Sequence, residues 1–148
     1  MSSWTHNIWQ TCFYYTIYCT WNSEFNWLIL FKIIFHNKKL RFEGEYLNGE
    51  RNGKGKEYDF NGTLEFEGEY LNGKRNGKGK EYYSDDELKF EGEYLNGKKN
   101  GKGKEYDDEG NLIFEGEYLN GERWNGTEKG YDCYSGIFEI RYLNGKIV

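Results

Sequence analysis

The chain has 148 residues, one domain's worth, with 36% hydrophobic residues, 20% aromatics, 20 glycines and no proline. Lys and Arg number 20 against 25 Asp and Glu, a net charge of −5, which argues against nucleic acid as a partner because that needs a basic patch or stripe. The modest hydrophobic share excludes a deep globular core and the wealth of aromatics excludes a disordered chain, which leaves a thin fold whose rings are shared between neighbouring units.

Residues 1–41 form a segment of their own. The runs TCFYYTIYCTW and FNWLILFKIIF are dense in aromatic and β-branched residues, which favours strands. Leu40 falls where Leu64, Leu88 and Leu112 fall later, and Leu30 to Ile34 then occupies the place of a hairpin's second strand. The segment therefore reads as a degenerate hairpin that caps an array. A membrane span needs about 20 mostly apolar residues, and Asn22, Ser23, Glu24, Asn26 and Lys32 interrupt this stretch. Lys38, Lys39 and Arg41 keep an interfacial anchor beside acidic lipid as an alternative. A cleaved signal peptide is not expected, since no basic region precedes a long apolar core. Cys12, Cys19 and Cys133 suit neither a zinc site nor a disulfide framework and read as reduced thiols of a cytosolic protein.

From residue 42 the sequence repeats. FEGEYLNG stands at 42–49, 66–73, 90–97 and 114–121, and the altered copy FEIRYLNG at 138–145, a fixed period of 24 residues. Such a period signals a repeat architecture. The array spans 42–148, with units starting at 42, 66, 90 and 114 and a partial unit at 138. In the second unit Leu64, Phe66, Gly68 and Tyr70 alternate with Glu65, Glu67 and Glu69, the period-two mark of a half-buried strand. The two Asn-Gly pairs within 72–77 predict a reversal of the chain, followed by a second strand at about Lys78 to Tyr82. Gly77 and Gly79 are expected under the rings of Phe66 and Tyr70, with Lys78 and Lys80 opposite Glu67 and Glu69 on the other face. That scheme leaves Tyr82 on the charged face. Because one hairpin is marginal in water, the units must stack edge to edge. The expected fold is all-β, an elongated single-layer twisted antiparallel sheet of stacked 24-residue β-hairpins with roughly nine to eleven strands.

The repeat resembles the MORN family, whose unit reads roughly Tyr-x-Gly-x-aromatic-x-x-Gly-x-x-x-Gly-x-Gly. Phe42, Gly44, Tyr46, Gly53 and Gly55 fit it, as do Phe66, Gly68, Tyr70, Gly77 and Gly79, and Phe90, Gly92, Tyr94, Gly101 and Gly103. Phe114, Gly116 and Tyr118 begin a fourth copy, in which Trp124 reads as an insertion before Asn125-Gly126. The resemblance implies an elongated sheet without catalytic chemistry, in proteins that act as scaffolds and adaptors, several of them linked to membranes or acidic phospholipids. Some bacterial antitoxins use a related repeat.

No catalytic constellation stands out. His6 and His36 belong to no nucleophile or metal arrangement, the periodic glutamates read as a solvated face, and the Gly-x-Gly pieces lack the helix that a phosphate loop requires. The expectation is a protein that is not an enzyme and takes no cofactor and no metal. The turn cations Lys74, Arg75, Lys78, Lys98, Lys99 and Lys102 recur in successive units and are expected to align as a ridge, the candidate contact with lipid or a partner. The leading expectation is a cytoplasmic, non-catalytic scaffold that offers an extended β surface to an as yet unidentified protein partner. Peripheral binding to an acidic membrane surface is the alternative, an antitoxin-like role a weaker one, and end-to-end self-association through exposed end strands accompanies either.

Overall fold

Period-two alternation makes half-buried strands wherever the sequence carries it. The computed structural model describes residues 15–19, 30–36, 39–132, 134 and 136–148. Among them are β1 (Tyr15–Cys19), β2 (Leu30–His36), β3 (Lys39–Leu47), β4 (Glu50–Tyr58), β5 (Leu64–Leu71), β6 (Lys74–Tyr82), β7 (Leu88–Leu95), β8 (Lys98–Tyr106), β9 (Leu112–Leu119), β10 (Glu122–Asp132), β11 (Gly136–Leu143) and β12 (Lys146–Ile147). They form one open antiparallel sheet in strict chain order, with no helix among the described residues. The twelve described strands exceed the expected nine to eleven, because the two-residue β12 also pairs. β2 pairs with β3 in continuation of the array, with Ile34 opposite Phe42 and Leu30 opposite Tyr46. The cysteine and membrane readings of residues 1–41 rest largely on positions outside the described residues.

The first Asn-Gly pair of each unit makes the reversal. Asn72 and Gly73 have φ of 49° and 78°, as a two-residue hairpin turn of this hand requires, and Asn48-Gly49, Asn96-Gly97, Asn120-Gly121 and Asn144-Gly145 repeat it. The second pair does not turn the chain, contrary to expectation. Lys74 already pairs with Leu71, so β6 begins four residues earlier than expected, and Asn76-Gly77 is a bulge within it. Gly68 faces Gly79 and Tyr70 faces Arg75, so β6 carries two residues more than β5 over that interval. Gly77 has φ 99°, and a Cβ there would run into the Glu69 carboxylate. Gly53, Gly77 and Gly101 therefore serve the bulge and do not lie beneath rings.

The bulge also ties one hairpin to the next. The tip N–H groups of Asn96 and Gly97 donate to the Asn76 side-chain oxygen at 3.2 Å and to the Arg75 carbonyl at 2.8 Å. The same pair of bonds joins Asn72 and Gly73 to Asn52 and Arg51, and Asn120 and Gly121 to Asn100 and Lys99.

The core is a single file of rings on one face. Phe42, Phe66, Phe90 and Phe114 are fully buried, and Tyr46, Tyr70, Tyr94 and Tyr118 nearly so. Each Phe meets the Tyr of its own unit and the Tyr of the next edge to face, at 5.2–5.8 Å between centroids from Tyr46 through to Tyr142. Such pairs are worth about 0.5–1.5 kcal/mol beyond the area they bury. The rings lie on bare backbone: a Cβ on Gly79 would come within 2.5 Å of Phe66 and 3.2 Å of Tyr94. A ring from each unit and one from the next thus cover the same glycine.

The fourth unit departs by losing a residue from its bulge, and Trp124 is not an insertion. Gly126 faces Gly116 as Gly79 faces Gly68, and Glu128 faces Phe114 as Glu81 faces Phe66. Only Trp124 and Asn125 remain between Arg123 and Gly126, and in compensation the stretch from Glu128 to Phe138 is one residue longer than that from Glu81 to Phe90. Asn125 still accepts from the Asn144 N–H at 2.9 Å. Phe138 on β11 is 37% exposed where its counterparts are closed.

Candidate functional site

The two faces of the sheet carry different chemistry. On the ring face Glu57, Glu81, Glu105 and Glu128 lie opposite Phe66, Phe90 and Phe114 or their neighbours, and so point to the side where the rings are. Arg51, Arg75, Lys99 and Arg123 lie opposite Tyr46, Tyr70, Tyr94 and Tyr118. Together they form one continuous ion ladder. Arg75 bonds Glu57 at 2.6 Å and Glu81 at 2.9 Å, Lys99 reaches Glu81 at 3.5 Å and Glu105 at 3.0 Å, and Arg123 bonds Glu105 and Glu128. Arg51 pairs with Glu57 at the other end. The cations also stack on the rings, at 4.1 Å for Arg51 over Phe42 and 4.0 Å for Arg75 over Phe66 and Lys99 over Phe90.

Burial pushes the Glu105 carboxyl up, but hydrogen bonds from Arg123 and Lys99 and their charges outweigh it and hold the group below its ordinary range. Beneath the ladder, the hydroxyls of Tyr70, Tyr94 and Tyr118 are buried without a hydrogen-bond partner, and burial pushes their ionisation well up. The ladder is a lid on the ring layer. Glu57, Glu81 and Glu105 are each matched by cations on both sides, which leaves no unequal pair for acid–base work among them.

The opposite face is a trough. Its floor is the glycine backbone of β3 to β9, at Gly44, Gly55, Gly68, Gly79, Gly92, Gly103 and Gly116. One wall runs Glu43, Lys56, Glu67, Lys80, Glu91, Lys104, Glu115, and the other Lys54, Glu69, Lys78, Glu93, Lys102, Glu117. The walls are two residues apart along each strand, about 6.7 Å, and six strand spacings give a length of about 29 Å. The open volume is about 910 Å³. The first wall is internally bridged, but loosely: Lys56–Glu67 at 3.6 Å, Lys80–Glu91 at 3.9 Å and Lys104–Glu115 at 3.3 Å, all more than a third exposed. Tyr58, Tyr82 and Tyr106 stay on this face and donate their hydroxyls to Glu43, Glu67 and Glu91 at 3.2, 2.7 and 3.1 Å. Burial and then the charge and hydrogen bond of the carboxylate push Tyr58 and Tyr82 up to about 12.

The six cations expected to form one ridge go to three places. Lys78 and Lys102 line the trough, Arg75 and Lys99 lie in the ladder, and Lys74 and Lys98 stand at the hairpin tips. A ridge of another kind does exist. Leu71, Leu95, Leu119 and Leu143, each 40–55% exposed, stand beside those tips in one row. The ladder glutamates were missed as ring-face residues, although Glu81 has the period-two parity of Gly79 and so announces its side. The ties through Asn76 left no signal that could be told from a turn. Among the described residues no group of three or more His, Cys, Asp or Glu is placed to hold a metal.

Residues 42–64, 66–87 and 90–112 each match the family model described as MORN repeat. No curated protein matches the chain.

Proposed function

From the premise that this is a MORN-repeat protein, we propose that it is a scaffold whose Lys/Glu trough holds a segment of a protein partner. The family is generally non-catalytic, and MORN repeats suggest a repeat scaffold or a membrane-associated protein. The observation that favours the scaffold is continuity: the trough keeps a glycine floor and walls of Lys and Glu over seven strands, as suits a linear partner and not a small substrate. We read the protein as having no enzymatic activity of its own. Under this reading it is cytoplasmic. Photo-crosslinking residues placed singly at Lys78 and Lys102, in the native cell, should each capture the same protein, and one at Lys74 should not. Adducts at Lys74 alone would discard the trough.

A second reading has its own support. The exposed leucines at the tips stand beside Lys74, Lys98 and Lys146 along one edge, with Glu122 interrupting the cations at the Leu119 tip, and apolar groups beside cations suit peripheral contact with acidic lipid. Flotation with acidic vesicles that is lost in K74E/K98E and unchanged in K78E/K102E would favour the membrane over the trough.

A further inference from the structure

We infer that the segment held in the trough is an α-helix with one face of opposite charges alternating every three and four residues. The inference rests on the trough being the docking surface and concerns what fits it. Each strand presents two like charges across the floor, Glu67 and Glu69 on β5, then Lys78 and Lys80 on β6. The sign therefore changes at every strand, about every 4.8 Å, and returns after about 9.6 Å. A partner group of one sign is flanked by two of the other.

Chain geometry decides which conformation can answer that order. A helix rises 1.5 Å per residue, so residues three, four and seven apart on one face lie about 4.5, 6.0 and 10.5 Å apart. A helix with Lys and Glu in that alternation drifts less than about 3 Å out of phase over the trough, within reach of the side chains. An extended strand repeats its face every 6.6–6.8 Å or so and falls out of phase within two or three steps. A polyproline II segment returns every 9.3 Å or thereabouts but places one residue there, and so can answer only one sign.

The walls are ready for such a partner on one side in particular. Among the described residues no ion pair within 4 Å engages Lys54, Lys78 or Lys102, and all three are exposed. They recur on every second strand, so the helix would set its acids against them, one in seven residues.

Three synthetic peptides of about 20 residues with equal numbers of Lys and of Glu test the inference against the full chain, by fluorescence anisotropy at low salt. In the first, Lys and Glu alternate at three- and four-residue spacing in an Ala background. In the second the Lys and Glu form separate blocks. In the third they alternate at every second residue among strand-forming spacers. The first should bind about tenfold tighter than either other and weaken with salt, and K54E/K78E/K102E should cost it about tenfold more. K54Q/K78Q/K102Q, with an unchanged circular dichroism spectrum, should cost less. Equal binding of the block peptide, or indifference to the Lys to Glu reversal, overturns the helical code. Preferential binding of the third peptide that the reversal abolishes overturns it too, and leaves trough docking standing. Binding by none of the three also overturns it, while the crosslinks from Lys78 and Lys102 decide the fate of the docking reading separately.

Discussion

The sheet's two faces hold nearly the same charged residues and use them differently. On the ring face Arg75 and Glu81 have side chains 20–23% exposed, stack on buried aromatics and bond in both directions. On the trough face Lys80 and Glu91 are 38–47% exposed and meet at 3.9 Å. The difference teaches that charge pairs gain strength from what lies beneath them. Rings under the ladder remove water and fix the guanidinium planes, whereas bare glycine backbone under the trough leaves its walls wet and available.

The comparison breaks most sharply at the rings. Phe90→Ala should cost about 3–5 kcal/mol in urea unfolding, since the ring is fully buried and touches two tyrosines. Lys80→Ala, on the adjacent strand and the other face, should stay within about 1 kcal/mol. Next comes the backbone beneath the rings. Gly79→Ala should cost about 1–3 kcal/mol from overpacking against Phe66. Gly73→Ala, at a tip where nothing lies within 4 Å of a Cβ, should cost only the 1–2 kcal/mol or so of its positive φ.

Smaller effects sharpen the ladder. Glu81→Gln should cost about 1–2 kcal/mol, because it leaves Arg75 and Lys99 short of an anion in a partly desolvated site. The ladder's pH dependence follows from Glu105, whose folded carboxyl lies below its ordinary range. That stabilisation is complete above the unfolded value near 4.5 and is lost as pH falls through the folded one, so a urea midpoint followed downward should drop there. At the alkaline end the trough tyrosines act with the opposite sign. Tyr58 and Tyr82 stabilise fully below about 10 and lose their contribution as pH rises towards about 12, which ultraviolet titration of tyrosinate would follow. Smallest of all, Tyr94→Phe removes a buried hydroxyl without a partner and should leave stability within about 0.5 kcal/mol of the parent or slightly raise it.

Particular residues show where the sequence was legible. Phe66, Gly68 and Tyr70 declared their face by alternation, and the turn at Asn72-Gly73 by its left-handed residues. Asn76-Gly77 uses the same two letters for a bulge, and the distinction depends on what the next hairpin's tip donates to Asn76. Trp124 reads as an extra residue when only the letters of the repeat are aligned, whereas the pairing of Gly126 with Gly116 makes a shortened bulge. Arg75 and Lys99 looked like turn cations because their partners Glu57 and Glu81 come from the preceding hairpin, 18 residues back.

The sequence by itself determined the repeat, the hairpin, the buried ring file and the glycines under it, because period-two alternation and positive-φ turn residues act within one unit. Tertiary structure alone decided how the ring-face charges join from one hairpin to the next into a ladder, and how each tip is tied to its neighbour. Those outcomes depend on register between successive hairpins, and a bulge two residues long sets that register by bonds that no single unit contains.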